Sequence, residues 1–219
     1  MADIPTGNGA PPLTGGIAGQ GFKWTISFLE KHGQARYGTK FRIDEIDHPT
    51  VFALLAYFLR QEHEAAELGL DLGKGILLSG PVGCGKTSLM TLMKLVALPL
   101  KAYTMRACRE ISFEFMREDF EVVGRYSNLS FNNSEPKIYC FDDLGSESTL
   151  RNFGNSCNVM AEIIQSRYEL YISCGMITHL TTNLHADGIE QAYGDRVRSR
   201  MREMFNLVAF DENSRDKRV

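Results

Sequence analysis

The stretch that decides the fold is Gly80-Pro81-Val82-Gly83-Cys84-Gly85-Lys86-Thr87. It fits the pattern G-x-x-x-x-G-K-[ST], whose glycines let the backbone wrap around phosphate groups. The apolar run 75–79 before it predicts a strand, and the run 86–97 after it predicts a helix, which is the context the pattern requires. Successive N–H groups and a helix amino terminus attract an anion at such a turn. The stretch therefore predicts a phosphate-binding loop (the P-loop).

The residues of this loop have expected places around a nucleoside triphosphate, which we expect to be ATP. Lys86 is expected to reach the β- and γ-phosphates, and the Thr87 hydroxyl is expected to ligate Mg²⁺. The predicted nucleotide-binding residues are Gly80, Pro81, Val82, Gly83, Cys84, Gly85, Lys86, Thr87 and Ser88. The sequence thus predicts ATP and Mg²⁺ as cofactors.

A pair of acids follows the buried-strand run 138–141. A carboxylate at the end of a core strand beside the P-loop lies close to the expected magnesium ion. Asp142 is therefore predicted to be the acid that holds the metal. Asp143 is expected to orient or deprotonate the attacking water as a general base. The alternative is that Asp143 caps the turn 144–148. Because many related ATPases have the longer glutamate here, Asp143 predicts slow intrinsic turnover.

An amide follows the predicted strand 176–182 at the same edge of the sheet. The Asn183 amide can hydrogen-bond the γ-phosphate or the water there, which makes it a candidate sensor of the ATP state. A strand-end asparagine is otherwise most often a turn residue. The position of Asn183 after the acid pair in a P-loop chain favours the sensor interpretation.

An arginine-rich helix is predicted next. Residues four apart share a helix face, so Arg196 and Arg200 form one stripe, and Arg198 and Arg202 form another on roughly the opposite side. One stripe can enter a neighbouring subunit's ATP site as an arginine finger, and the other can meet nucleic-acid phosphates or acidic side chains. The alternative is a solvated basic helix whose charges pair with acids of the same segment, Asp195 and Glu203.

The alternation of strand-like and helix-like segments after residue 70 predicts an α/β fold, with a parallel five-stranded sheet covered by helices on both faces. The expected strands are 75–79, 101–105, 137–141, 176–182 and 206–210, and the expected helices are 86–97, 109–118, 159–171 and 187–204. We expect a disordered Gly/Pro-rich arm over residues 1–20, a helical extension over 21–70 and the ATPase core over 71–219. In the extension, one helix is predicted from Pro49 to about residue 67, whereas the apolar cluster 22–29 shows no clean period.

The composition excludes several classes of protein. The formal net charge of −3 gives no global electrostatic case for nucleic-acid binding. The five cysteines show no CxxC spacing, which argues against a zinc or thioredoxin-type centre. The chain shows neither a signal-peptide pattern nor an apolar run of membrane-spanning length, so we expect a cytoplasmic protein.

The motifs occur in the order seen in AAA+ proteins. These motifs are the P-loop, Cys-Phe-Asp-Asp-Leu-Gly-Ser-Glu at 140–147, Thr-Thr-Asn-Leu at 181–184 and Tyr-Gly-Asp-Arg-Val-Arg-Ser-Arg-Met at 193–201. Over about residues 72–210 the chain resembles the DnaC-like bacterial helicase loaders and the related IstB-type transposition helper ATPases. The Asp-Asp-Leu-Gly string together with the short arginine box is the most specific part of this resemblance.

The resemblance implies roles for single residues. It implies that Asn183 is sensor 1, that Arg200 is the intersubunit finger and that Arg196 is a further arginine of the same box. Family members assemble into spirals or rings, and several bind single-stranded DNA. Only about 36 residues follow Asn183, too few for the helical lid of full AAA+ proteins. We therefore expect an AAA+ P-loop fold that lacks the carboxyl-terminal lid.

The expected function is that of a slowly hydrolysing ATP switch in DNA replication, acting in helicase loading. The alternatives are a transposition helper ATPase, an ATP-binding adaptor without significant hydrolysis, and a small-molecule kinase, which needs a lid and has no use for the arginine box. Expected partners are further copies of the chain through the Arg196–Arg202 helix, single-stranded DNA, and a replicative helicase or transposase. The resemblance does not extend to the amino-terminal region, and the stretch 118–135 is interpreted as an individual loop with Arg125 as its one basic residue.

Overall fold

The structure is a computed structural model that describes residues 19–97, 102–147, 150–152 and 155–218. Of the arm expected over residues 1–20, residues 1–18 lie outside this range. The helices are α1 (Gln20–Tyr37), α2 (His48–Phe58), α3 (Glu62–Glu67), α4 (Lys86–Met93), α5 (Cys108–Glu118), α6 (Glu121–Tyr126), α7 (Val159–Cys174), α8 (Ala186–Tyr193) and α9 (Asp195–Met204), with a 3₁₀ turn at Glu45–Asp47. The strands are β1 (Gly75–Ser79), β2 (Thr104–Ala107), β3 (Phe131–Asn132), β4 (Glu135–Pro136), β5 (Tyr139–Leu144), β6 (Leu150–Asn152), β7 (Asn155–Cys157), β8 (Thr178–Thr182) and β9 (Phe205–Ala209).

A parallel sheet of five strands forms the centre of the molecule, in the order β2-β5-β8-β1-β9. All four neighbouring pairs are parallel. The predicted fold class is therefore confirmed, and the five strands lie within a few residues of their expected positions. The carboxyl ends of β1, β5 and β8 meet at one edge, which is where an open α/β sheet presents its functional loops.

Helices cover both faces of the sheet, and the strand residues alternate between two cores. Ile76 and Leu78 of β1 pack in one core with side chains of α1, α2 and α4. Leu77 packs in the other core with side chains of α5 to α9. Because both of its faces are buried, β1 is a nearly continuous apolar run in the sequence.

The region before β1 is more helical than the sequence indicates. The cluster 22–29, which has no clean period, lies in the eighteen-residue helix α1, whose buried positions are Thr25, Ile26, Leu29 and Gly33. The single helix predicted up to residue 67 is wrong, because α2 ends at Phe58 and α3 begins at Glu62. Arg60, between them, has a φ of 56°, which no helix accommodates.

Two further differences concern segments around the core. The helix predicted over 187–204 is two helices, because Gly194 has a φ of 85° and separates α8 from α9. The stretch 118–135, interpreted as a loop, contains α6 and the antiparallel pair β3–β4. Its one basic residue, Arg125, forms ion pairs with Glu114 and Glu118.

The segment after β9 runs back across the P-loop. The described residues 210–218 contain no helix. We call Asp211–Arg218 the strap, because Lys217 donates its backbone N–H to the Gly83 carbonyl oxygen at 3.0 Å. Among the helices of the described residues, none is long and apolar enough to span a membrane.

Candidate functional site

One cavity of about 720 Å³ opens at the carboxyl ends of β1, β5 and β8. Four parts of the chain line it: the P-loop, the ends of β5 and β8, the loop between α1 and the 3₁₀ turn, and the strap. The lining residues predicted from the sequence are Val82, Gly83, Gly85, Lys86, Thr87, Ser88, Asp142, Asp143 and Asn183. The structure therefore brings together the P-loop, the acid pair and the candidate sensor at a site large enough for a nucleotide.

The P-loop backbone takes conformations that favour glycine. Gly83 has a φ of 81°, and Gly85, which precedes α4, has a φ of 106°. Both values lie in the left-handed region, where a side chain is disfavoured. α4 starts at Lys86, so the amino terminus of this helix faces the cavity. Free N–H groups and the helix dipole together make this end attractive to an anion.

The Lys86 ammonium lies beneath the loop. Its Nζ donates to the carbonyl oxygens of Gly80 at 2.7 Å and Pro81 at 2.8 Å, and the side chain is buried. Burial lowers the pKa of Lys86, and the negative charges of Asp142 and Asp143 raise it in opposition. The ammonium is thus positioned between the loop and the acid pair, where an anion in the loop would contact it.

The Asp142 carboxylate is at the centre of a small hydrogen-bond network. Thr87 Oγ1 donates to its two oxygens at 3.0 and 2.9 Å, and Thr181 Oγ1 donates to Oδ1 at 2.7 Å. Burial raises the pKa of Asp142, and these two hydroxyl groups lower it in opposition. Within the described residues Asp142 forms no ion pair, and a bound cation would stabilise a half-buried carboxylate of this kind.

The oxygen ligands at this point fit Mg²⁺. The Thr87 hydroxyl and the Asp142 carboxylate are adjacent hard oxygen donors, which Mg²⁺ prefers. In the part of the chain that the structure describes, no group of three or more His, Cys, Asp or Glu side chains could hold a metal. A magnesium ion held here would therefore need phosphate oxygens and water for its remaining positions, so its binding would depend on the nucleotide.

Asp143 is turned out of the sheet toward the cavity. The register between β5 and β8 shifts between Phe141 and Leu144, and Asp143 has a φ of 60°, a conformation that aspartate tolerates better than most residues. Its N–H donates to Thr181 Oγ1 at 2.8 Å. Within the described residues its carboxylate accepts no hydrogen bond, and Glu147 instead caps the Gly145 N–H at 2.9 Å. The exposed carboxylate is therefore available to a polar group in the cavity.

The arginine helix α9 lies away from this cavity. Neither Arg196 nor Arg200 lines it. The Arg200 guanidinium lies 4.9 Å from the Tyr168 ring centroid, and its Nη1 donates to Gln165 Oε1 at 3.2 Å. Arg198 instead forms an ion pair with Glu190. Arg200 therefore lies outside the cavity of its own chain.

The acids proposed to neutralise this helix have other hydrogen-bond partners. Glu203 accepts from the Tyr168 hydroxyl at 2.7 Å, and Asp195 caps the Arg196 N–H at 2.7 Å. In the described residues neither acid forms an ion pair with an arginine side chain. The exposed positive charges of Arg196 and Arg202 therefore remain available on the surface of the molecule.

A contact between Glu147 and Tyr193 connects the acid pair to the arginine helix. The Tyr193 hydroxyl donates to Glu147 Oε1, while the other carboxylate oxygen holds Gly145 next to the end of β5. Tyr193 ends α8, immediately before the Gly194 break and α9. Both residues lie in motifs visible in the sequence, but their pairing depends on the tertiary structure.

Three further parts of the site were not found by sequence reasoning. Thr181 contacts both acids of the pair, and its only signal was that it belongs to the Thr-Thr-Asn motif. The cavity is also lined by Tyr37 at the end of α1 and by the loop residues Lys40, Phe41, Arg42 and Asp44. The lining residues of the strap are Arg215, Asp216, Lys217 and Arg218. Neither segment matches a pattern, although the basic residues near position 218 are a weak signal.

Comparison with known proteins identifies the fold through structure. No protein-family model and no curated protein matches the chain. The chain is similar to a crystal structure of the DnaC helicase loader (TM-score 0.53, 16% identity, covering 78% of this chain and 94% of that one). It is similar to DnaI (TM-score 0.51, 16% identity, 79% and 89%) and to AMPPCP-bound DnaA from Aquifex aeolicus (TM-score 0.51, 18% identity, 80% and 50%). The chain therefore shares with these structures the fold of a parallel five-stranded α/β sheet that carries a P-loop after β1.

Proposed function

We propose that this chain binds ATP with Mg²⁺ and hydrolyses it slowly, acting as a nucleotide switch in DNA replication at the step of helicase loading. The observation that supports it most is the convergence of Lys86, Thr87 and Asp142 on one cavity at the mouth of the P-loop. A glycine-rich loop at a helix amino terminus, a lysine and a pair of magnesium ligands together form the usual triphosphate site of this fold.

The proposed roles follow the geometry of the site. Lys86 binds the β- and γ-phosphates, and Thr87 and Asp142 hold the metal. The Asp143 carboxylate orients the attacking water, and Asn183 hydrogen-bonds that water or the γ-phosphate. Magnesium, when bound, would neutralise phosphate charge. The residues of this chain position the reacting groups and stabilise the charge that develops on the phosphate.

The replication role rests on similarity of fold. One similar structure is described as a helicase loader, which makes a replicative helicase the first candidate partner. A transposition helper ATPase with a transposase as partner is the second candidate, because the same motifs occur in that group. Recovery of a helicase or of a transposase with the tagged chain separates the two.

We further propose self-association through Arg196–Arg202 and binding of single-stranded DNA, for which the exposed arginines of α9 supply the charge.

Lys86→Ala is expected to weaken ATP binding by about 10- to 100-fold, because charge-assisted hydrogen bonds to the phosphates are lost. A titration with a fluorescent ATP analogue in the presence of Mg²⁺ measures this. Lys94→Ala is the matched control, since Lys94 is exposed just beyond the end of α4 and does not line the cavity. A wild-type chain that binds no ATP would remove the proposed function.

Asp143→Asn is expected to preserve ATP affinity and to lower the hydrolysis rate by about 10²-fold, the usual scale for loss of a general base. Single-turnover phosphate release measures the rate. Asp119→Asn is a well-matched control, because Asp119 is also an exposed aspartate with a left-handed φ (52°). Equal and barely measurable hydrolysis in the wild type and in Asp143→Asn would favour the adaptor that binds ATP without hydrolysing it.

A further inference from the structure

The strap lies directly against the P-loop. Besides the Lys217 N–H bond to the Gly83 carbonyl oxygen, the Asp216 carboxylate contacts Gly83 so closely that a Cβ built there would lie 2.1 Å from Asp216 Oδ1. Asp216 Oδ1 also accepts the Arg218 N–H at 3.0 Å, which fixes a turn at this point. The strap therefore has a defined path over the glycines that would surround a phosphate.

A buried acid anchors the strap at its other side. Asp47, which is 1% exposed, accepts from Ser214 Oγ at 2.7 Å and from the Lys217 ammonium. Asp44 lies 3.9 Å from the same ammonium. Two acids thus neutralise Lys217, so this residue serves to hold the strap against the 3₁₀ turn before α2.

The other two cations of the strap are differently placed. Arg215 and Arg218 are exposed, both line the cavity, and within the described residues neither side chain forms an ion pair or a hydrogen bond. Burial is the main cause that lowers the pKa of Lys86, and the positive charge of Arg218 lowers this pKa further. These two guanidinium groups place positive charge at the mouth of the P-loop.

The cavity accordingly has more cations than a P-loop alone supplies. Lys40 and Arg42 also line it from the loop after α1, and the acids of the lining are Asp44, Asp142, Asp143 and Asp216. A guanidinium has a fork of N–H donors that matches phosphate oxygens, and it keeps its charge at any physiological pH. Unpaired arginines beside an anion-binding loop are thus suited to a polyphosphate.

We propose that the strap supplies Arg215 and Arg218 as phosphate-binding cations to the nucleotide held by the P-loop of the same chain. This inference rests on the proposed nucleotide binding and extends it to a segment outside the sequence motifs. Since the strap is anchored on Asp47, the same contacts connect nucleotide occupancy to the start of α2 and so to the amino-terminal extension.

Titration of the full chain with fluorescent ATP, ADP and AMP analogues in Mg²⁺ tests the proposal. For the double variant Arg215→Ala/Arg218→Ala we expect ATP affinity to fall about tenfold or more, ADP affinity to fall less and AMP affinity to stay within about twofold, because the lost attraction grows with phosphate charge. Lys31→Ala/Arg117→Ala, which removes two exposed cations that do not line the cavity, is the matched control and should bind like the wild type. Thermal unfolding without nucleotide should be unchanged, since both arginines are exposed and unpaired.

Two results would overturn the inference while leaving the proposed function intact. One is wild-type affinity of the double variant for all three nucleotides. The other is tighter ATP binding by the variant, which would make the strap a competitor of the triphosphate. Restoration of part of the ATP affinity in Arg215→Lys/Arg218→Lys would support a charge-based contact. If the wild-type chain itself binds no nucleotide, the proposed function fails, and the inference fails with it.

Discussion

Arg200→Ala is expected to reduce ATP hydrolysis by about 10³-fold while ATP affinity stays within about twofold, as for an arginine finger that acts on a neighbouring subunit. The reason is its position: Arg200 lies on α9, against Tyr168 and Gln165 of α7, and outside the cavity of its own chain. Removing it therefore leaves the nucleotide contacts of that chain intact. Single-turnover hydrolysis and ATP titration measure the two quantities separately.

A mixing experiment makes this prediction sharper. Arg200→Ala retains a complete P-loop, and Lys86→Ala retains the finger, so an equimolar mixture should recover activity that neither variant has alone. Arg117→Ala is the control, because Arg117 is exposed on α5 and lies outside both α9 and the cavity. Light scattering after size exclusion should show a larger species that requires a non-hydrolysable ATP analogue with Mg²⁺ and that is lost in Arg200→Ala. A monomer in every condition, with or without single-stranded DNA, would refute the finger in trans.

Arg167→Met is expected to lower the free energy of unfolding by about 3–5 kcal/mol, because several buried acceptors lose their donor together. The fully buried Arg167 donates to Thr178 Oγ1 at 2.6 Å and to the carbonyl oxygens of Tyr126, Lys137 and Ile177 at 2.8 to 3.0 Å. Burial lowers the pKa of Arg167 to about 10, so the group is still charged at neutral pH. One guanidinium thus fastens α7 to α6 and to the segments that lead into β5 and β8.

Urea denaturation of the apo chain measures this effect. The matched control is Arg125→Met on α6, whose side chain is 42% exposed and pairs with Glu114 and Glu118. Exposed pairs of this kind contribute about 0–1 kcal/mol, so the control should be nearly neutral. Equal losses in the two variants would contradict the role given to Arg167. Methionine keeps most of the apolar contacts that the stem of Arg167 makes. A large loss of stability in Arg167→Met would therefore report the lost hydrogen bonds of the guanidinium group.

The core of the fold could be predicted because its signals are local. The P-loop pattern has its strand and helix on either side in the sequence, and β1 and the start of α4 lie at the residues predicted. The acids of β5 and Asn183 after β8 reach one edge because parallel strands all point their carboxyl ends the same way. The P-loop pattern and the common direction of the parallel strands were sufficient to predict that these residues lie together, whereas the order of the strands in the sheet was not predicted.

The remaining parts depend on contacts that no local pattern encodes. α1 buries one narrow side and leaves Trp24 and Tyr37 exposed, so its apolar residues show no clean period. The strap has a charged, aperiodic sequence, and its path is set by Asp47, which lies far away along the chain. The break at Gly194 did have a local signal, a glycine followed by aspartate, which the helical periodicity on both sides outweighed.

The position of β1 in the sheet has a consequence for biosynthesis. β1 lies between β8 and β9, both of which are encoded long after it. While the chain emerges from the ribosome, the strand that carries the P-loop has neither of its neighbours, and closing such non-local pairs is slow. β1 can pair with both of its neighbours only after residue 209 has been synthesised. Truncated chains that lack β9 should therefore be unable to bind nucleotide.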